Sequence, residues 1–415
     1  MKPTKTPTLI LSFFASFAIY CQSENTYSIP ELLTSNSKEQ ITITKDWERK
    51  RRKEIIELFK TNVYGSFPKQ EITVKSNLIS EDKNALCGKA TRKIITINFI
   101  SKKDTVRADL LIYLPNQTKI PRPVFLGLNF FGNHTIHPDK NIPLPKGFVK
   151  NNAEFFIFDN TATNKSRGVR ANRWPVEHIL ERGYGLATLH YGDLAPDNPE
   201  KYQEGIYSLF KNESIDQTGA IAAWTFGLQT AMDYLVTDSD IDSEKITVFG
   251  HSRLGKAALW AGALDERFSI VISNDSGCGG AALFRRKKGE DIAEINKLFP
   301  HWFAPNFHQF NKKENELPVD QHMFLASIAP RGVYVGSAER DLNADPYGEY
   351  LSLYYASPVY ELYGYDTPQT ENLPTINKPL ISGKQGYHIR AGGHDMSRFD
   401  WESYLNFADY YFNTY

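Results

Sequence analysis

The chain has 415 residues, with 48 Lys and Arg against 48 Asp and Glu, so its formal net charge is zero; this argues against a nucleic-acid binder relying on a basic surface. Hydrophobic residues at 41% and charged residues at 23% describe a folded chain, and three Cys cannot make a disulfide-dense scaffold. The length allows two or three domains but also one large α/β domain, and the aromatic content of 13% serves a core or stacking on sugar faces.

Residues 1–22 begin with Lys2 and Lys5 and continue into an apolar stretch from Leu9 to Tyr20. The stretch is too short to span a bilayer comfortably and reads as a cleaved export signal, with no membrane span expected elsewhere. Cys21 offers a lipid attachment point, but the bulky Tyr20 before it fits that use poorly. If cleavage removes Cys21, only Cys87 and Cys278 remain to pair. Residues 23–46 are polar and read as an N-terminal arm. Trp47, Ile55, Ile56, Leu58 and Phe59 share helical spacing.

Strands are expected at Lys93–Ile100, Arg107–Tyr113 and Val124–Leu128, with Phe155–Phe158 as a further short apolar run. From Trp174 onward the pattern alternates: helix from Val176 to Arg182, strand Gly185–His190, helix Gly219–Leu235, strand Lys245–Phe249, helix Ser252–Ala263, strand Phe268–Ser273. A strand at Gly332–Gly336 and a helix from about Ser397 close the chain. Alternating strands and helices imply a mostly parallel central sheet in a three-layer αβα sandwich. Residues 285–325 are too long for a plain connection and read as an inserted helical segment. Residues 47–415 are taken as one catalytic domain.

The most informative stretch is KITVFGHSRLGKAALWAGA. An apolar strand runs into a glycine-flanked turn and then a helix, so Ser252 sits at a sharp corner at the carboxyl edge of the sheet. Such a corner projects a hydroxyl above the sheet, and the N–H that follows can hold a developing oxyanion. In Gly250-His251-Ser252-Arg253-Leu254-Gly255 the second glycine comes one place later than in G-x-S-x-G. Gly250 to Lys256 also matches the spacing of a phosphate-binding loop, but Ala257 stands where Ser or Thr would hold magnesium.

Gly250 to Lys256 resembles G-x-S-R-x-G-K, the signature of glucuronoyl esterases, carbohydrate esterase family 15. The resemblance extends to Asn129–His134, Arg173-Trp174-Pro175, Arg182–Asp197, Ser273–Arg286, Gly289-Glu290, Phe299–Phe303, Ala344-Asp345-Pro346 and Gly348-Glu349. It implies an α/β-hydrolase fold and a serine esterase without metal or cofactor. The implied substrate is the ester between (4-O-methyl-)glucuronic acid of xylan and an alcohol of lignin.

Serine is a weak nucleophile and needs a base and an acid to orient it. In α/β-hydrolases the order along the chain is serine, acid, histidine. His388 and His394 lie after the last expected strand, and His394, in AGGHDM, is the expected base because two glycines let the loop present the ring. The acid is Asp275, after the strand that follows the nucleophile helix, or Asp341, after the next strand, with Glu339 a weaker third. His251, beside Ser252, is expected to point away and act indirectly.

The resemblance implies that Arg253 stabilises the oxyanion through charge-assisted hydrogen bonds. It also implies that Lys256 and Glu290 bind hydroxyls of the uronic acid. Trp302 is either an aromatic wall or a packing group. Asn343 stands where the family often has Trp, which removes a flat surface beside the sugar. The readings left open are an acetyl or feruloyl polysaccharide esterase, or a non-catalytic polysaccharide-binding protein with the same fold. A monomer is expected.

Overall fold

Among the described residues, ten strands join in one sheet in the order β1-β2-β3-β5-β4-β6-β7-β8-β10-β9. They are β1 Thr73–Ala85, β2 Ala90–Ile100, β3 Thr105–Pro115, β4 Arg122–Asn129, β5 Gly185–His190, β6 Ile241–His251, β7 Ile270–Asn274, β8 Gly332–Ala338, β9 Leu380–Ser382 and β10 Gln385–Arg390. This computed structural model describes residues 27–67, 72–102, 104–118, 121–210 and 218–413; the expected export signal and the first four residues of the arm lie outside them.

The six strands β5, β4, β6, β7, β8 and β10 run parallel. The flanking pairs β1–β2, β2–β3, β3–β5 and β10–β9 are antiparallel, so the whole sheet is mixed and only its centre is parallel. The central strands alternate between two cores. Val124, Leu126 and Leu128 of β4 and Val271 of β7 face one; Phe125, Ile270 and Ile272 face the other. Strands buried on both faces must be apolar throughout, which is why these runs stood out in the sequence.

Helices cover both faces. On the first core lie α1 (Arg52–Phe59), part of a longer helical run with wider turns at both ends, and α3 (Ala220–Leu235). α4 (Arg253–Leu264), α6 (Gln321–Ala326) and α7 (Pro346–Leu362) join them there. α2 (Val176–Glu181) and α8 (Arg398–Phe412) pack on the second core. Between β7 and β8 the chain forms a 3-10 turn at Phe284–Arg286, α5 (Ile292–Leu298), two further 3-10 segments at Pro305–Phe310 and Glu314–Glu316, and α6. Among the described residues, no helix is long and apolar enough to cross a membrane.

Two sequence expectations need correction. Phe155–Phe158 is not a sheet strand: Ala153–Phe155 is a 3-10 turn, Ile157 bridges only Asn152, and Phe156 and Phe158 are exposed. His388 does not follow the last strand but lies inside β10, fully buried, because the polar residues of QGYHIR hid a strand that pairs with β8. β1 was also unmarked in the sequence. It is an edge strand with mostly polar, exposed residues, paired among the described residues to β2 alone.

Candidate active site

β6 ends at His251 and α4 begins at Arg253, so Ser252 alone makes the corner. Its backbone, at φ 58° and ψ −130°, is in a region that non-glycine residues enter only under constraint. The constraint is visible: Ser252 N–H donates to Asn274 O at 2.8 Å, and the N–H groups of Gly255 and Lys256 return to Ser252 O. A side chain on Gly250 would stand 2.0 Å from Leu254 O, and one on Gly255 would press on Ser276 and Ser273. The displaced second glycine therefore serves helix-to-strand packing one residue further along. The Arg253 N–H opens the helix and has no acceptor within it.

His394 reaches the site from the loop after β10. Its Nδ1–H donates to Asp341 Oδ2 at 2.6 Å, and its side chain stays 45% exposed while Asp341 is buried. Asp275 approaches from β7. One polar atom each of Asp275, Asp341 and His394 lie within 4.8 Å of one another. Asp275 Oδ2 faces Arg390 Nη2 at 3.3 Å and the Asp395 N–H at 3.4 Å, while its Oδ1 is buried with no partner. Burial pushes its carboxyl well above the usual range, Glu349 adds to this and Arg390 opposes it. Glu339 accepts from the Gly392 N–H at 3.4 Å and is kept for shaping that loop. His388 is bound to Asp400 at 2.8 Å and to Tyr334 at 3.1 Å.

The loop carrying His394 is anchored by its neighbour. Asp395 forms ion pairs with Arg173 and, at 3.8 Å, with Arg170. This accounts for the Arg-Trp-Pro stretch marked in the sequence, which sits far away in the chain.

On the other side of Ser252, Arg253 Nη1 donates to Asp197 Oδ2 at 2.7 Å, and its guanidinium lies 4.8 Å from the Trp302 ring centre and 5.5 Å from that of Phe130. Asp197 also accepts from His301 at 2.9 Å, Trp302 Nε1 at 2.8 Å and Tyr191 OH at 3.1 Å. Burial would raise the Asp197 carboxyl, but the hydrogen bonds of His301 and Trp302 and the Arg253 charge outweigh it and hold it well below its ordinary value. The aspartate, unremarked as a functional group in the sequence, thus fixes the guanidinium. Trp302 is 3% exposed and stacked on Phe299 at 3.7 Å, so it packs under Arg253 and presents little open wall.

Lys256 is buried, and its Nζ donates to Ser276 O at 2.5 Å. Burial lowers its pKa, with Glu290 opposing; burial raises that of Glu290, with Lys256 opposing. The two are thus electrostatic neighbours. Glu290 N–H donates to Asn343 O at 3.0 Å, and Gly289, at φ 68°, leaves no room for a side chain against the Asn343 and Leu342 carbonyls. Asn343 therefore sets the position of Glu290 through its backbone, while its exposed side chain adds no aromatic surface.

The arrangement brings together a strained serine, an imidazole hydrogen-bonded to a carboxylate, and a fixed guanidinium. Such a set can perform acyl transfer at an ester carbonyl. Asp275, Asp341 and His394 are also close enough to suggest a cation site. The direct hydrogen bond on the ring nitrogen and the Arg390 charge on Asp275 favour the acid–imidazole reading. Cys87 is exposed and Cys278 buried, and both are free thiols.

Residues 168–364 match a family model described as glucuronyl esterase, fungi; Ser252, Arg253, Asp275 and Asp341 lie within that range and His394 beyond it. A carbohydrate esterase, MZ0003, from an unknown prokaryotic organism is 47% identical over 392 residues, covering 93% of this chain and 90% of that protein. The solved structure of a glucuronoyl esterase from Solibacter usitatus superposes with a TM-score of 0.86 at 45% identity, covering 93% of this chain and 98% of that one. A 4-O-methyl-glucuronoyl methylesterase from Cerrena unicolor is 32% identical over 200 residues, 44% of this chain and 42% of that protein.

Proposed function

The chain belongs to the glucuronoyl esterases, carbohydrate esterase family 15, and from that premise we propose how its residues share the work. It is a carboxylic ester hydrolase acting on glucuronate esters. Ser252 Oγ attacks the ester carbonyl while His394 takes its proton. Asp341 holds the ring in the tautomer that leaves Nε2 free for that proton, and stabilises the imidazolium. The Arg253 N–H and guanidinium receive the oxyanion, whose charge grows only in the transition state. The tetrahedral intermediate collapses, His394 returns the proton to the leaving alcohol, and the acyl group remains on Ser252. Water, activated by His394, then attacks the acyl-enzyme and releases free uronic acid and Ser252.

Lys256 and Glu290 bind sugar hydroxyls as a paired cation and carboxylate. Asp275 is reserved for holding Arg390 and the His394 loop. The natural substrate is the (4-O-methyl-)glucuronic acid of xylan joined to a lignin alcohol, and the protein works as an exported, single-domain monomer behind its N-terminal arm.

The observation carrying this reading is the 2.6 Å hydrogen bond from His394 to Asp341, in a loop at the same strand ends as the strained Ser252 corner. The test is release of free acid from benzyl glucuronate. Ser252→Ala should lose at least about 10³-fold in kcat with its fold intact by circular dichroism. Unchanged turnover in that variant would remove Ser252 from the mechanism. Wild-type preference for p-nitrophenyl acetate over benzyl glucuronate would redirect the substrate assignment without touching the triad.

A further inference from the structure

The residue before the nucleophile is a histidine that the hydrolytic steps do not consume. His251 is buried, and its ring centre lies 4.6 Å from that of His394, with the planes tilted by 39°. Its Nδ1 is 2.6 Å from Asn274 Oδ1. Asn274 Nδ2 in turn donates to Asp400 Oδ1 at 3.1 Å. Asp400 also accepts from His388 Nε2 at 2.8 Å, Arg390 Nε at 2.8 Å and the Ser397 N–H at 2.6 Å. An aspartate surrounded by donors accepts only, so the Asn274 amide nitrogen must face it and the amide oxygen must face His251. His251 therefore donates from Nδ1, while its Nε2 is buried and has no partner among the described residues.

Burial and the neighbouring His394 push its pKa well below the ordinary histidine value, so the ring is neutral. The ring is pinned at one edge, with its body against the exposed base. During each tetrahedral step His394 gains a proton. A π system within about 6 Å attracts such a cation, whereas a second imidazolium would repel it. Asn274 is well placed to couple these parts, because its backbone carbonyl also accepts the Ser252 N–H at 2.8 Å.

We propose that His251 is a positioning residue for the base: its ring face, packed against the His394 imidazole, holds that ring in its working orientation and supports its charged form. The inference rests on His394 being the base, as proposed above.

Three substitutions separate the ring face from the hydrogen bond. His251→Phe keeps an aromatic face and loses the bond to Asn274. His251→Leu loses the same bond and fills much of the space without a π face. His251→Ala loses both. On benzyl glucuronate, kcat should stay within about threefold of wild type for Phe and fall about tenfold or more for Leu and Ala, with KM changed less than about twofold. Melting temperatures should fall by similar amounts in Phe and Leu. A merely structural histidine would make kcat follow melting temperature, so equal kcat in the Phe and Leu variants overturns the inference, as does wild-type kcat in Leu. If Ala does not fold, the Phe–Leu comparison still decides. His394→Ala, measured alongside, should be inactive. If it is, a negative result in the His251 series sinks this inference alone; if it remains active, the base assignment falls and takes the inference with it.

Discussion

Asp341 and Asp275 stand at the ends of neighbouring strands beside one imidazole, yet they are held differently. Asp341 gives an oxygen to His394 Nδ1 at 2.6 Å. Asp275 is drawn toward Arg390, whose guanidinium is itself anchored on Asp400 at 2.8 Å. Both carboxylates are buried. What separates them is competition: a nearby cation occupies one and leaves the other to the histidine. Proximity to a base does not identify its acid until every other donor around the carboxylate has been counted.

The sharpest way to break this comparison is to neutralise each acid in turn. Asp341→Asn should reduce kcat on benzyl glucuronate by about 10²- to 10⁴-fold, since the imidazole loses the group that selects its tautomer. Asp275→Asn should cost no more than about tenfold and should show chiefly as a lower melting temperature, because it weakens the contacts with Arg390 and the Asp395 N–H that hold the His394 loop. A reversal of these two rates would transfer the role of the acid to Asp275.

The opposite side of Ser252 tests whether holding matters as much as identity. Asp197→Asn keeps the packing but weakens the grip on Arg253, so kcat should fall by about tenfold. Arg253→Ala, which removes the proposed oxyanion contact, should fall by about 10²- to 10³-fold. Equal losses would mean that Asp197 does more than orient the guanidinium.

The last comparison concerns stability and not rate. Glu349, fully buried beneath both acids, accepts from Ser276 and Gly277 N–H and from Ser337 Oγ. Burial pushes its carboxyl from 4.5 to about 7, more than those hydrogen bonds can offset. Between these values the folded state keeps a proton that the unfolded chain has lost. Stability therefore falls as pH rises through this window, by at most about 3 kcal/mol. Glu349→Gln has no such titration. Its melting temperature relative to wild type should rise between pH 5 and pH 8; a constant difference would show that Glu349 is ionised throughout.

Much of this was legible in the chain. The continuous apolar runs at Val124–Leu128, Gly185–His190 and Phe268–Ser273 announced buried parallel strands, and the glycine-flanked Ser252 announced the corner, because both depend on local pattern. Strand β10 was not legible: His388 and Arg390 are polar, and it is their shared partner Asp400, with Tyr334 and Asp275, that makes them tolerable in the interior. Asp197 was visible within a marked stretch but not as the anchor of Arg253, since its partners at 253, 301 and 302 are distant in the chain.

By itself, then, the order of residues determined the alternating strands and helices, the turn at Ser252 and the small set of candidate partners, since each follows from spacing and from what a backbone can adopt. Only the tertiary structure decided which carboxylate meets His394, what holds Arg253, and that His251 lies against the His394 ring. Those outcomes depend on which charges and donors converge after folding, and convergence across more than fifty residues leaves no mark in local sequence.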